Sequence, residues 1–497
     1  MKNIYLFTML LFFFGPCAQG QKGSSAADLM HASLISMGGE EKISALKTLH
    51  FEASLIRNEL EESERPEGPY ILENDQVEEW RDLDQKVWKN TNKLHGAMQP
   101  EFSITSIVSN GAASLAYNGQ AAPASGQQIQ LADEALALGP ERVLLTALSS
   151  PDLRRLPDLT LQGVPHHAVQ FTWHSSPVRI YLNAETNLPT AVEWESAYPS
   201  DMFWSIWGDV TSRVYYSFWW LQNGIHYPLQ ADLFRNGMPA QTVTITKIDF
   251  NGSFPADTFA IPAEVRQAFL PRATKTADDR TPGRAATDLA PGIVFIPGPW
   301  NTTLVRQEDG LIVLEAPISS GYSAKVADFA QSRFPGVPVK AVITTSDSWP
   351  HIGGIREYVA HGTPVYVLDR TVPLIQRFLS APRTRYPDKL AKNPRKADLR
   401  RVSSKTVIGS GPNRIEIYPI HGETSERQMM VYFPEHKLLY GSDPFQELDG
   451  SFFFPQTVSE LENAVEREHL SVDRFFMMHI AVTPWSKAVE AVKQASN

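Results

Sequence analysis

The sequence predicts two folded domains of different class, an antiparallel sheet with helices at its start (α+β) and then an α/β region. Three observations predict this. At 497 residues, 42% hydrophobic and 20% charged, the chain has globular composition and more length than one ordinary core fills. Its first half consists of short alternating or aromatic-rich runs between turn residues, while its second half alternates apolar strands with amphipathic helices. Between them lies the polar, aperiodic stretch RATKTADDRTPGRAATDLAP, Arg272 to Pro291. The expected boundaries are a leader at 1–20, a mostly β domain at 21–265, a linker at 266–291 and a second domain at 292–497.

Residues 1–20 read as a cleavable signal peptide: Lys2, the apolar run IYLFTMLLFFF, then small Ala18 and Gly20 ahead of Gln21. The run is shorter than the roughly 20 residues a spanning helix needs, so no stable membrane span is expected after cleavage. Lipidation at Cys17 and an uncleaved anchor are the competing readings, and Pro16 stands where lipidation wants a small residue. The expected location is exported, periplasmic or cell-envelope. Cys17 is the only cysteine, so cleavage leaves neither disulfide nor thiolate ligand. A net charge of -10 without a long basic run argues against a nucleic-acid partner.

In order along the chain, AADLMHASLISMGG reads as a helix stopped at Gly38-Gly39, followed by a short second helix and a strand from about Leu49. Runs such as HAVQFTW, VRIYLNAETNLPTAVEWE and QTVTITKIDF are strands, and Asn223-Gly224 and Asn236-Gly237 are hairpin turns. Beyond the linker, GIVFI, TTLVRQ, GLIVLEA and VKAVITT are strands, and SAKVADFAQSRF, GGIREYVAHG and TVPLIQRFLSA are helices. RIEIYPI, QMMVYFP and KLLYGSD follow as strands, then the helix TVSELENAVEREH and the strand RFFMMHI. No solenoid repeat is visible.

The residues able to carry chemistry come in a set order within the second half. GLIVLEAP closes a strand pair, a strand leads into TTSDSWPHIGG (Thr344 to Gly354), and YPIHGE, KLLYGSDPF and MMHIAVTPW follow. This order resembles the metallo-β-lactamase superfamily from Gly292 to about Val492. The resemblance implies an αββα sandwich with metal ligands at strand ends along one edge. In that family the first turn reads Thr-His-x-His-x-Asp-His-x-Gly-Gly, and later segments supply a His, an Asp and a last His. Laid on this chain, Ser346 and Ser348 stand where the turn's two leading histidines belong, and Pro350 where its aspartate belongs. His351 remains, and His421, Asp443 and His479 match the three later ligands.

Serine hydroxyls are poor zinc donors and proline has no side-chain donor, so one of the family's two metal positions keeps only His421. The other keeps His351, Asp443 and His479, a set sufficient for one divalent metal, zinc by ligand type, with an open position. The resemblance therefore implies a single-metal hydrolase of a small-molecule or lipid-like substrate, with Asp443 or Asp347 as the available base. The alternative is a metal-free protein that binds a hydrophobic or anionic ligand, with His351 and His479 kept as hydrogen-bonded residues. A Gly-x-Ser-x-Gly elbow, a His-Glu-x-x-His pair and a phosphate loop are absent.

Three further features invite a reading. The basic stretch PRTRYPDKLAKNPRKADLRR is a solvated insertion or a rim for an anionic substrate. Trp204, Trp207, Tyr215, Tyr216, Phe218, Trp219 and Trp220 are core packing or line an apolar concavity, and Trp219 and Trp220 point to opposite faces. MGGEEKISALKTLHFEA, IYLNAETNLPTAVEW and VYYSFWWLQNGIHYPLQADLFRNGMP loosely resemble the periplasmic lipoprotein-carrier fold, which implies a curved sheet around helices that shields acyl chains. His166 and His167 read as surface histidines.

Overall fold

Alternation along Thr48–Asn58 sets the plan of the first half: Leu49, Phe51, Ala53 and Leu55 are buried, while the residues between them face outward. The computed structural model describes residues 24–495 except 62, 96–100, 284, 444–445, 449–450 and 454. The leader and Cys17 lie outside the described residues.

Among the described residues, thirteen strands of the first half form one antiparallel sheet. Its centre is the pairing of the first strand, Thr48–Asn58, with the last, Met238–Phe250. The order then runs outward on either side to Gln120–Pro123 and to Arg154–Leu161. Asn223-Gly224 and Asn236-Gly237 turn the chain with φ of 53°, 72°, 50° and 79°, as two-residue hairpins require. The helix Ala26–Ser36 starts at a reciprocal cap between Ser25 and Asp28 and packs Leu29, Met30 and Leu34 onto the sheet. Trp219 packs against this core, whereas Trp220 is exposed.

The second half has two face-to-face sheets. The first runs from Thr287–Ala290 to Leu399–Val402, antiparallel across its first four strands and parallel beyond Gly310–Leu314. The second runs from Thr406–Ile408 to Thr483–Pro484. Both faces of the first sheet are buried. Ile312 and Leu314 meet Ile417, Val431 and Phe433 of the second sheet, while Leu311 and Val313 meet the helices Ser320–Arg333 and Val372–Ser380. The helix Pro455–Arg467 covers the outer face of the second sheet through Val458, Leu461 and Val465. The layers are thus helix, sheet, sheet, helix.

The two halves share a core. Leu60, Tyr198, Ile206, Trp207 and Met238 of the first half pack with Trp349, Ile352, Phe378 and Leu390 of the second. The rings of Trp204 and Trp207 meet Trp349 edge-on at 5.0 and 5.1 Å.

Three sequence expectations need correction. The linker is not free: Ala277 is buried in the shared core, Asp278 accepts from Gly321 N at 2.7 Å, and Thr287–Ala290 pairs with Ile293–Ile296. His166 is not a surface residue. It is 2% exposed, because Val164 O and Thr190 Oγ1 hydrogen-bond to its two ring nitrogens. The start of the basic stretch straps the second half to the first. Arg383 donates to the Ser205 and Ile206 carbonyls, and Asp209 accepts from Thr384 N at 2.8 Å and Arg385 N at 3.1 Å. Burial brings the Arg383 guanidinium down to about 10, with Arg356 beside it acting the same way. Among the described residues, no helix is long and apolar enough to cross a membrane.

Candidate metal centre

The turn that holds His351 follows the buried parallel strand Val339–Ile343, and its shape depends on two glycines. A Cβ on Gly353 would lie 2.4 Å from Ile318 O, and one on Gly354 would lie 2.0 Å from Ser323 Oγ and 2.8 Å from Ser319 O. Without side chains there, the short helix Trp349–Ile352 seats directly on the segment after GLIVLEAP, and Gly354 N donates to Ala316 O at 2.8 Å.

Asp443 follows the strand Leu438–Tyr440, and His479 follows the neighbouring parallel strand Arg474–Phe476. Met478 N donates to Ser442 O at 3.0 Å, which ties these two loops together. Three strand ends therefore deliver His351, Asp443 and His479 to one place, where a ligand atom of each lies within 4.8 Å of the others. His351 Nε2 is 3.0 Å from Asp443 Oδ2, and His479 Nε2 is 3.3 Å from Asp443 Oδ1. Trp300 flanks both imidazoles, with ring centroids at 6.5 Å from His351 and 5.9 Å from His479.

The hydrogen-bond inventory decides what this cluster suits. His479 Nδ1 lies 3.1 Å from Pro299 O. A carbonyl only accepts, so Nδ1 carries the proton. Burial lowers the His479 pKa, with His351 acting the same way against Asp443, so the ring is held neutral and its Nε2 is a bare lone pair. That lone pair faces Asp443 Oδ1, a buried atom without a hydrogen-bond partner. Two acceptors thus face each other, an arrangement that a cation between them resolves.

His351 supplies the second imidazole, with its Nε2 turned to the other oxygen of Asp443. It is buried, and its Nδ1 has no hydrogen-bond partner. Burial disfavours its charged form, but Asp443, Glu315 and Glu61 together outweigh it and the pKa is raised. The separations of 3.0 and 3.3 Å compare with the ~3.3 Å edge of a tetrahedron with zinc bonds of ~2.0 Å. Two imidazoles and one carboxylate fit a divalent ion of zinc type.

The other residues singled out in the sequence lie elsewhere. His421 is exposed, has a φ of 60° and is not among the clustered ligands. Asp347 is buried in an ion pair with Arg427, whose Nε donates to it at 2.9 Å. Burial pushes its carboxyl up against the pull of that guanidinium. Its side chain is therefore committed to Arg427, which corrects the expectation that Asp347 is available as a base. Ser346 Oγ accepts from Ser348 N at 3.1 Å.

Two acidic residues at the site escaped the sequence reading. Glu315, at the end of GLIVL, is fully buried with a φ of 71°, and its Oε1 accepts from Thr345 N at 3.1 Å and from Thr345 Oγ1. Burial pushes its carboxyl up to about 7, with the charge of His351 and the Thr345 hydrogen bonds pulling the other way. An acidic residue ending an apolar strand was a visible signal. Glu61 accepts a hydrogen bond from Ser348 Oγ at 2.5 Å across 287 residues of sequence, and no local pattern marks it.

Neither a family model nor a curated protein matches the chain. Part of the chain is similar to solved structures. A metallo-beta-lactamase from Pontibacter korlensis is 15% identical, covering 43% of this chain and 98% of its own, with a TM-score of 0.34. The DIM-1 metallo-beta-lactamase is 14% identical over 43% of this chain and 98% of its own, with a TM-score of 0.34. TMB-1 is 14% identical over 44% of this chain and 100% of its own, with a TM-score of 0.33.

Proposed function

We propose that the chain has two domains, and that the second is a metallo-β-lactamase-like hydrolase with one divalent cation, zinc, held by His351, Asp443 and His479. The observation that carries this reading is His479 Nε2 facing the buried, partnerless Asp443 Oδ1 at 3.3 Å while its Nδ1 is turned to Pro299 O. The order of motifs from GLIVLEAP to MMHIAVTPW and the helix, sheet, sheet, helix layering support it. When bound, such an ion activates water and polarises a carbonyl or phosphoryl group.

The chain's own residues have separate tasks. Pro299 O fixes the His479 tautomer, Asp443 sets its two oxygens toward the two imidazoles, and Trp300 limits water at their side. With Asp347 held by Arg427, Asp443 is the sequence-predicted carboxylate that could serve as a base there, beside Glu315 and Glu61. The substrate class is a small-molecule or lipid-like ester, amide or phosphoester. The first domain, a thirteen-stranded sheet packed on helices, is the carrier-like partner of that chemistry.

Elemental analysis of the full chain, purified without chelator beside a His351→Ala/His479→Ala variant, tests the reading. About one zinc per chain that vanishes in the variant is expected. Absence of metal from both, after reconstitution, would leave the metal-free binding protein as the reading. Export through residues 1–20 belongs to the same proposal. N-terminal sequencing of the protein from its producing cells should find Gln21 first, and an intact Met1 would refute it.

A further inference from the structure

The turn TTSDSWPHIGG gave up its imidazoles, yet the space beside it is not apolar. Ser348 stands three residues before His351 in the same turn, and its hydroxyl donates to Glu61 Oε2 at 2.5 Å. Glu61 belongs to the first half of the chain, just past the strand Thr48–Asn58.

The segment that carries Glu61 is fastened to the second half on both sides. The neighbouring Leu60 is buried in the core shared by Trp349 and Ile352, and Tyr70 packs against the same core. Arg65 donates to Glu426 Oε1 at 2.8 Å. Glu61 is thus presented to the metal turn by a seated segment.

Charge gives this placement a purpose. Two neutral imidazoles and the Asp443 carboxylate leave a divalent ion with one net positive charge beside the buried Trp300 ring. Carboxylates beyond the ligands, Glu315 beside His351 and Glu61 at Ser348, offset that charge, and desolvated charge is costly unless balanced.

We propose that Glu61 is a positioning residue of the metal centre, supplied by the first half of the chain. Held by Ser348 where the turn lost an imidazole, its carboxylate balances the charge of a cation on His351, Asp443 and His479. The centre is therefore composite, and full cation affinity requires Leu60, Arg65 and Tyr70 to stay seated on the second half. This rests on the metal-site reading above.

The test is a competition titration of Zn²⁺ against a chromophoric chelator, using the full chain, Glu61→Gln and His351→Ala, with the melting temperature of each metal-free protein. Glu61→Gln should weaken zinc by about 10- to 100-fold, as loss of a supporting partner does, at unchanged stoichiometry and unchanged metal-free melting. His351→Ala should abolish tight binding. Affinity of Glu61→Gln within twofold of the unmodified chain, with His351→Ala still dead, overturns this inference and leaves the metal site standing. No zinc binding by the unmodified chain overturns both. Should Glu61→Gln also melt lower, Glu61→Asp decides. It keeps the charge, so recovered affinity supports the role and affinity as weak as that of Glu61→Gln overturns it.

Discussion

Glu315 shows how one buried side chain sets a pH dependence. Its carboxyl has an ordinary value of 4.5 and sits near 7 in the folded chain, chiefly because burial penalises its charge. A carboxyl raised in this way binds its proton more tightly folded than unfolded. Its stabilising contribution is therefore complete below about pH 4.5 and is lost as pH rises through about 7. For the metal-free chain this is worth about 3 kcal/mol at the linkage rate of ~1.4 kcal/mol per pKa unit. Urea unfolding of the metal-free protein at pH 5 and pH 8 should show this decline, and Glu315→Gln should remove most of it. An unchanged slope in the variant would assign the decline to other groups. His351 Nδ1 and Glu315 Oε2 are both buried without a hydrogen-bond partner, and burial is what favours neutral Glu315 in the metal-free chain. A cation on His351 favours the ionised form and counteracts the slope.

At the scale of an element, the glycines after His351 matter more than the helix propensity of the four-residue helix they follow. Gly353 and Gly354 have negative φ, so the requirement is space and not handedness. The Cβ of an alanine at 354 would meet Ser323 Oγ, Ser319 O and Ala316 O at 2.0, 2.8 and 3.0 Å, and the two carbonyls belong to backbone that cannot rotate away. Gly354→Ala should therefore destabilise the fold by about 1–3 kcal/mol, as overpacking does, and should move His351 enough to weaken zinc binding. Calorimetric melting with a zinc titration checks both. Normal affinity with normal melting would mean that the turn has more room than its contacts indicate.

Across the whole molecule, the shared core couples the metal-binding half to the large antiparallel sheet. Trp207 is 3% exposed and touches both Trp349 and Phe378, and the 383–385 strap adds hydrogen bonds beside it. Thermal unfolding should accordingly appear as one calorimetric transition. Trp207→Ala removes about 3–5 kcal/mol of packing from between the halves, and the transition should split in two. If the unmodified chain already melts in two steps, the interface contributes less than its packing suggests. The same contact keeps Glu61 beside Ser348, so loosening it should also lower metal affinity.

Periodicity and turn chemistry made most elements legible. Alternation in TLHFEASL, the Asn-Gly pairs and the apolar runs of GIVFI, GLIVL and VKAVI depend on neighbours one to four residues away, and such neighbours are visible in a linear sequence. The family resemblance of the motif order implied His351, His421, Asp443 and His479 as ligands, and the fold brings His351, Asp443 and His479 together. Tertiary structure decided the rest. His421 stays exposed and outside the cluster, and whether Asp347 is available turns on Arg427, which is 80 residues away. The proton on His479 is placed by a carbonyl at Pro299, and the Glu61 carboxylate arrives only because a large apolar interface seats one half of the chain on the other. Those are long-range contacts between a few polar atoms, selected by where the apolar surfaces fit. No local pattern encodes them, since each partner would be an ordinary surface residue without the fold around it.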